Sequence, residues 1–74
     1  MDTLRAMRTF VRTLELGSLS AAARDLGTTQ PTVSKLLAQL EQHLAVRLFQ
    51  RSTRGLSPTE QGRQFYLDAR LVLD

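Results

Sequence analysis

Residues 17–40 read GSLSAAARDLGTTQPTVSKLLAQL, and this stretch decides the fold. It predicts two short helices joined by a tight turn. The first runs from Ser20 to Leu26, with Ser20 as N-cap and Ala21, Ala22 and Ala23 as small residues that let another helix approach closely. Gly27 supplies a left-handed stop. Thr28 and Thr29 form the turn, and Thr29 caps a second helix whose first turn holds Gln30 and Pro31. In that helix Val33, Leu36, Leu37, Leu40 and Leu44 recur at helical spacing and define a buried stripe. Gln30, Pro31, Thr32, Ser34, Lys35, Ala38 and Gln39 remain outward. That set is short, polar and free of acid, which suits a helix entering the major groove of DNA.

Upstream, Leu4, Met7, Phe10, Val11 and Leu14 predict an amphipathic helix from about Asp2 to Glu15, ended by Gly17. Its other face carries Arg5, Arg8 and Arg12, a basic row read as solvated, with part of it paired locally to Glu15 and contact with a DNA backbone as the alternative. Downstream, the period breaks at Val46, Leu48 and Phe49. Ser52, Thr53, Arg54 and Gly55 are turn residues, and Leu56 and Ser57 form a return strand, so residues 46–57 predict a β-hairpin wing. Two strands are marginal alone, so Leu48, Phe49 and Leu56 must rest on the helical core while Arg51, Thr53 and Arg54 face solvent or a phosphate backbone.

The last helix has two candidate starts. Ser57, Pro58 and Glu60 fit a capping box with Pro at the first helical position, while Thr59 equally caps a helix beginning at Glu60. Beyond it, Gly62, Phe65, Ala69, Val72 and Leu73 form an apolar line, with Tyr66 beside it. The line reaches Asp74 without a stop signal. It predicts either a fragment or an element that packs outside this chain, and Phe65, Ala69, Val72 and Leu73 are the dimerisation candidates. The alternative is that all five residues pack on the chain's own first helix.

Composition narrows the function classes. At 74 residues the chain is one small domain, able to bury only about 60% of its unfolded surface. Ten Lys and Arg against seven Asp and Glu give a net charge of +3. Nine of those ten are Arg, the side chain suited to bidentate phosphate and guanine contacts. Arg47, Arg51 and Arg54 lie between Leu44 and Thr59 with no carboxylate among them, so a local positive patch is expected. The chain has no cysteine and one histidine, which excludes disulfides and thiolate metal sites and leaves His43 without a second imidazole. No cofactor or metal is expected. No export signal or membrane span is visible, and a cytoplasmic location follows as an expectation. With neither a catalytic constellation nor a phosphate-cradling glycine loop, an enzyme is not expected.

Taken together, the motifs resemble the N-terminal DNA-binding domain of LysR-type transcriptional regulators along essentially the whole chain. The resemblance rests on Met1-Asp2-x-Leu4 with Phe10-Val11, then Gly17-Ser18-x-Ser20-Ala21-Ala22-Ala23-x-x-Leu26, then Gln30-Pro31-x-Val33-Ser34. It continues through Leu40-Glu41-x-x-Leu44, Leu48-Phe49-x-Arg51-x-x-Arg54 and Thr59-Glu60-x-Gly62. The order and spacing of these pieces are highly specific.

The resemblance implies a mainly α winged helix-turn-helix of three helices and a small β-hairpin wing over residues 1–58. A linker and dimerisation helix starts at 59–74, and the effector-binding domain lies outside this sequence. It implies sequence-specific binding of double-stranded DNA at an inverted repeat, with the recognition helix, about 29–43, in the major groove and the wing on the backbone or minor groove. The implied partners are operator DNA, a second copy in a homodimer or homotetramer, and a small-molecule effector held by the missing domain, all at the bacterial nucleoid. The implied DNA-binding residues are Ser20, Thr29, Gln30, Pro31, Thr32, Ser34, Lys35, Arg51, Thr53 and Arg54. Gln30 is expected to pair bidentately with adenine. The sequence departs from the family pattern at Leu19, where an aromatic is usual, at Lys35 in place of arginine, at Ala45 in place of glycine, and at Pro58 in place of leucine. The competing reading is a winged-helix protein-interaction or dimerisation module that does not bind DNA.

Overall fold

The computed structural model describes residues 2–52 and 55–73. In chain order they form α1 (Thr3–Leu16), α2 (Leu19–Leu26), α3 (Gln30–Leu44), β1 (Phe49–Ser52), β2 (Gly55–Pro58) and α4 (Glu60–Leu73). β1 and β2 pair antiparallel, with Phe49 opposite Pro58, Gln50 opposite Ser57, Arg51 opposite Leu56 and Ser52 opposite Gly55. This is the expected winged helix-turn-helix followed by a further helix.

Each helix begins on a side chain that accepts an otherwise unpaired backbone N–H. Asp2 accepts from the Arg5 amide at 3.1 Å, Ser18 from Ala21 at 3.2 Å, Thr29 from Thr32 at 3.3 Å and Thr59 from Gly62 at 2.9 Å. The cap of α2 is therefore Ser18 and not Ser20. Ser18 follows the left-handed Gly17 and is extended (φ −155°, ψ 134°), the geometry a capping side chain needs. By Ala22, whose amide bonds the Ser18 carbonyl at 3.0 Å, the helical ladder is already running. The start of α4 also resolves: Thr59 is the cap, and Pro58 belongs to β2.

Gly17 and Gly27 end α1 and α2 in the left-handed region, at φ 72° and 68°. α3 ends the same way on a residue that pays for it, Ala45 at φ 59°. The turn keeps the shape a glycine would give it, with a Cβ crowding the following carbonyl.

Phe10 sits where the elements meet. It is fully buried, and its ring centroid lies 5.3 Å from Phe49 on β1 and 5.3 Å from Phe65 on α4. Ala6, Ala22, Val33, Leu40, Leu48 and Ala69 complete the fully buried apolar core. Thr9 and Thr13 are buried beside them at no polar cost, because their hydroxyls donate to the Arg5 and Thr9 carbonyls within α1.

The wing is rooted by three residues around Leu48. Glu41 Oε2 on α3 accepts from the Leu48 and Phe49 amides at 2.6 and 3.3 Å. Thr59 donates its amide to the Leu48 carbonyl at 3.0 Å and its hydroxyl to the Arg47 carbonyl at 2.5 Å. Gly62 packs its Cα against the same Leu48 carbonyl, leaving no room for a side chain. Leu48 and Phe49 are buried and Leu56 is half-buried, so the hairpin rests on the core as its marginal intrinsic stability requires.

Candidate nucleic-acid interface

α3 presents Gln30, Pro31, Lys35 and Ala38 to solvent, with Thr32, Ser34 and Gln39 half-buried at the edges of that face. The one carboxylate between Gln30 and Ser52 is Glu41, and it is turned to the wing root. The surface running from α3 through the connecting turn to β1 therefore carries Lys35, Arg47 and Arg51 against a single carboxylate, Glu41, which is engaged through Oε2.

Two depressions connect α3 to the wing. One, of about 300 Å³, lies between the start of α2 and the hairpin and is lined by Ser18, Ser20, Gln30, Arg51 and Leu56. The other, of about 260 Å³, is lined by Ser34, Ala38, Glu41, Arg47, Phe49 and Arg51, so Glu41 borders it from the wing root. Arg51 borders both, so the wing strand and the recognition face form one continuous surface. Within it, the Ser20 hydroxyl donates to Gln30 Oε1 at 2.9 Å. Thr29 and Thr32 share a hydroxyl–hydroxyl bond of 2.8 Å at the cap of α3.

The fold thus gathers Ser20, Gln30, Ser34 and Arg51 around the two depressions and sets Pro31 and Lys35 on the same helix face. Thr29 and Thr32 are exposed or half-buried but engaged with each other. Thr53 and Arg54 lie outside the described residues. Arg47 was not among the expected site residues, although it belongs to the acid-free stretch that pointed to the wing.

The flanking charges are handled by a network that joins α1, α2 and α4. Arg12 grips Asp25 through Nε (2.8 Å) and Nη2 (3.1 Å) and reaches Glu15 Oε1 at 2.9 Å. Glu15 Oε2 accepts from Tyr66 and Arg70 of α4, each at 2.7 Å. The Tyr66 hydroxyl, and after it Arg12 and Arg70, hold the Glu15 carboxyl below its usual range. Arg12 does the same to Asp25, and the two carboxylates raise the Arg12 guanidinium in turn. Arg12 is thus withdrawn from the basic row of α1, while Arg5 and Arg8 make no ion pair among the described residues.

On α4, Ala69 is fully buried and Phe65 packs on Phe10, so both expected dimerisation residues are spent inside this chain. Leu73 is half-buried against the core, and Val72 stays open at 63% exposure. Leu67 and Leu71, at 58% and 81%, are exposed like Val72 and lie outside the expected set. Their i, i+4 spacing was the available signal. No helix among the described residues is long and apolar enough to cross a membrane.

Residues 4–63 match the family described as bacterial regulatory helix-turn-helix protein, lysR family. The chain is 47% identical over 70 residues to the HTH-type transcriptional regulator TfdS of Cupriavidus pinatubonensis (strain JMP 134 / LMG 1197), covering 95% of this chain and 24% of that protein. It is 40% identical over 73 residues to the HTH-type transcriptional activator AaeR of Escherichia coli (strain K12), covering 99% of this chain and 24% of the relative. The chain therefore spans about a quarter of the length of these relatives. Among solved structures, the BenM DNA-binding domain in complex with catB site 1 DNA superposes with a TM-score of 0.92 at 36% identity, covering 99% of this chain and 81% of that one. The CbnR DNA-binding domain in complex with DNA gives 0.91 at 37% identity, with 99% and 83% coverage.

Proposed function

The chain belongs to the lysR family of bacterial regulatory helix-turn-helix proteins, and from that premise we propose that it is the sequence-specific, double-stranded-DNA-reading unit of a transcriptional regulator. α3 enters the major groove, and Gln30, Pro31, Thr32, Ser34 and Lys35 face base edges and nearby phosphates. Ser20 and Thr29 sit at the helix starts beside the backbone. Arg51, with Thr53 and Arg54, carries the wing onto the flanking backbone or minor groove.

The observation that carries this reading is the surface running from α3 to β1, where Lys35, Arg47 and Arg51 outnumber the one carboxylate, Glu41, whose Oε2 is bonded to the wing-root amides, and where Arg51 borders both depressions. The two similar domains solved in complex with DNA support it. A protein-interaction module would instead offer a larger apolar patch at this place.

Residues from 59 onward begin the linker helix, and the open Leu67, Leu71 and Val72 face is where a second copy packs. Two-fold pairing places two α3 helices in successive major grooves of an inverted-repeat operator. Homodimer or homotetramer assembly and a small-molecule effector belong to the whole regulator, acting on the chromosome in the bacterial cytoplasm.

Selection from randomised duplex DNA at moderate salt tests this. Enrichment of an inverted repeat is the expected result. Retention without enrichment would reduce the function to phosphate binding, and no retention would favour the interaction module.

A further inference from the structure

An α-helix with its side chains is about 10–12 Å across, and the major groove of duplex DNA is about 12 Å wide. A helix seated there fills the groove, so a phosphate backbone runs along each of its flanks. The two flanks of α3 have different neighbours. On one, Ser34 and Ala38 line the depression shared with Arg47 and Arg51. On the other, Leu36 lines a depression of about 480 Å³ shared with Arg5 and Arg8 of α1 and with Thr28 of the turn that leads into α3. Successive residues of a helix turn by about 100°, so Leu36 points about 160° away from both Ser34 and Ala38. The exposed Pro31 and Lys35 occupy the outward arc between them.

Arg5 and Arg8 stand one turn apart on α1, and both are exposed. Arg12, the third member of the row, is taken up by Glu15 and Asp25, whereas Arg5 and Arg8 make no ion pair among the described residues. Asp2, the carboxylate that lines the depression with them, caps α1 by accepting the Arg5 amide. Two guanidinium groups thus face one carboxylate, beside a threonine hydroxyl, in a depression that adjoins the flank of α3 away from the wing.

We propose that Arg5 and Arg8 form a second phosphate-binding site, which grips the DNA backbone on the flank of α3 opposite the wing. This rests on the reading of α3 as the major-groove helix. Arg51 meets the backbone on one side of the groove and the α1 pair meets it on the other, so the domain straddles the groove. Contact on one flank alone leaves α3 free to roll, and contact on both fixes its orientation, which is what phosphate contacts supply. Guanidinium–phosphate bonds carry no sequence information, so the pair adds affinity and register without changing base preference.

The test is fluorescence-anisotropy titration across a series of salt concentrations, with a duplex enriched by selection and a scrambled one. The proteins are the wild type, the double variant Arg5→Ala/Arg8→Ala, and Arg63→Ala. Arg63 is an exposed arginine of α4 that lines none of the depressions beside α3, so it controls for the loss of net charge. The double variant should bind both duplexes more weakly and make the slope of log K against log salt shallower by about 0.9 for each arginine removed. Arg63→Ala should keep the wild-type slope. Phosphate-ethylation interference on the enriched duplex locates the contacts. The phosphates whose interference is lost in the double variant should lie across the major groove from those lost in Arg51→Ala. Alanine at exposed positions of α1 favours the helix, and circular dichroism checks that the variants are folded.

An unchanged slope in the double variant would overturn the proposal and leave the pair to an acidic protein partner. An equal change in Arg63→Ala would overturn it as well, as would interference lost only on the wing's side of the groove. Each of these leaves DNA reading by α3 intact. A wild-type protein that binds neither duplex would instead remove the DNA-reading function and this inference with it.

Discussion

Gly62 lies face to face with the carbonyl group of Leu48, so close that even a methyl group on Gly62 would overlap the carbonyl oxygen. Gly62 stands in the first turn of α4, where alanine would ordinarily be the better helix former by about 1 kcal/mol. Here the sign reverses. The obstructing atom is backbone, already bonded to the Thr59 amide, and cannot rotate away. Gly62→Ala should therefore destabilise the fold by about 2 kcal/mol or more, through overpacking that pushes α4 off the wing root. Urea denaturation of the two proteins measures this, and an unchanged or raised midpoint would contradict the packing described.

Ala45 gives the opposite case. Its φ of 59° places a Cβ in the left-handed region at the end of α3, which costs roughly 1–2 kcal/mol relative to glycine. Glycine gives back part of that through the larger entropy of its unfolded chain, about 0.4–1 kcal/mol. Ala45→Gly should stabilise the protein by about 0.5–1 kcal/mol, visible as a higher thermal midpoint with an unchanged denaturant m-value.

These positions show what was legible before the structure. Gly17, Gly27, Thr29 and Pro31 announce themselves because caps and stops are local chemistry. Leu48, Phe49 and Leu56 were placed on the core because a bare hairpin cannot stand alone. Ser18 and Ser20 both precede the alanine run, and only the left-handed Gly17 makes Ser18 the extended one. The Glu41 anchor was hidden, since a carboxylate bonding amides seven and eight residues on leaves no periodic trace. In α4 the apolar line was visible, but periodicity could not say whether it faced α1 or another chain. The Phe10–Phe65 contact and the burial of Ala69 turn those two residues inward, while Val72 stays open. At the candidate interface the exposed residues of α3 were readable one by one, whereas the Ser20–Gln30 bond joins two helices and was not.

Glu15 links α1 to α4 through partners 51 and 55 residues away, Tyr66 and Arg70. Its carboxyl is held below the ordinary 4.5, first by the Tyr66 hydroxyl and then by Arg12 and Arg70. Asp25 is held below 3.8 by Arg12. For depressed carboxyls the stabilisation is fully present above the unfolded values and is lost as pH falls through the folded ones. Stability should therefore decline below about pH 4.5, where the network protonates, and that part of the decline should shrink in Glu15→Gln. Tyr66→Phe should move the Glu15 titration, followed by carboxyl NMR shifts, back toward its ordinary value. A Glu15 titration unaffected by Tyr66→Phe would mean that the hydroxyl does not hold the carboxylate.

Arg51 and Gln30 border one depression, yet their substitutions should be told apart by salt. Arg51 has no carboxylate partner among the described residues, and on the function proposed above it meets a phosphate rather than a base. Each phosphate contact contributes about −0.9 to the slope of log K against log salt on duplex DNA. Arg51→Ala should thus weaken matched and unmatched duplexes alike and make the slope shallower by about that amount. Gln30→Ala should keep the wild-type slope and cost about 1–3 kcal/mol at the matched site alone. Fluorescence-anisotropy titrations across a series of salt concentrations, with matched and scrambled duplexes, measure both quantities. If Arg51→Ala changed neither the affinity nor the slope, the wing would lie away from the backbone and the continuous surface from α3 to β1 would have to serve another partner.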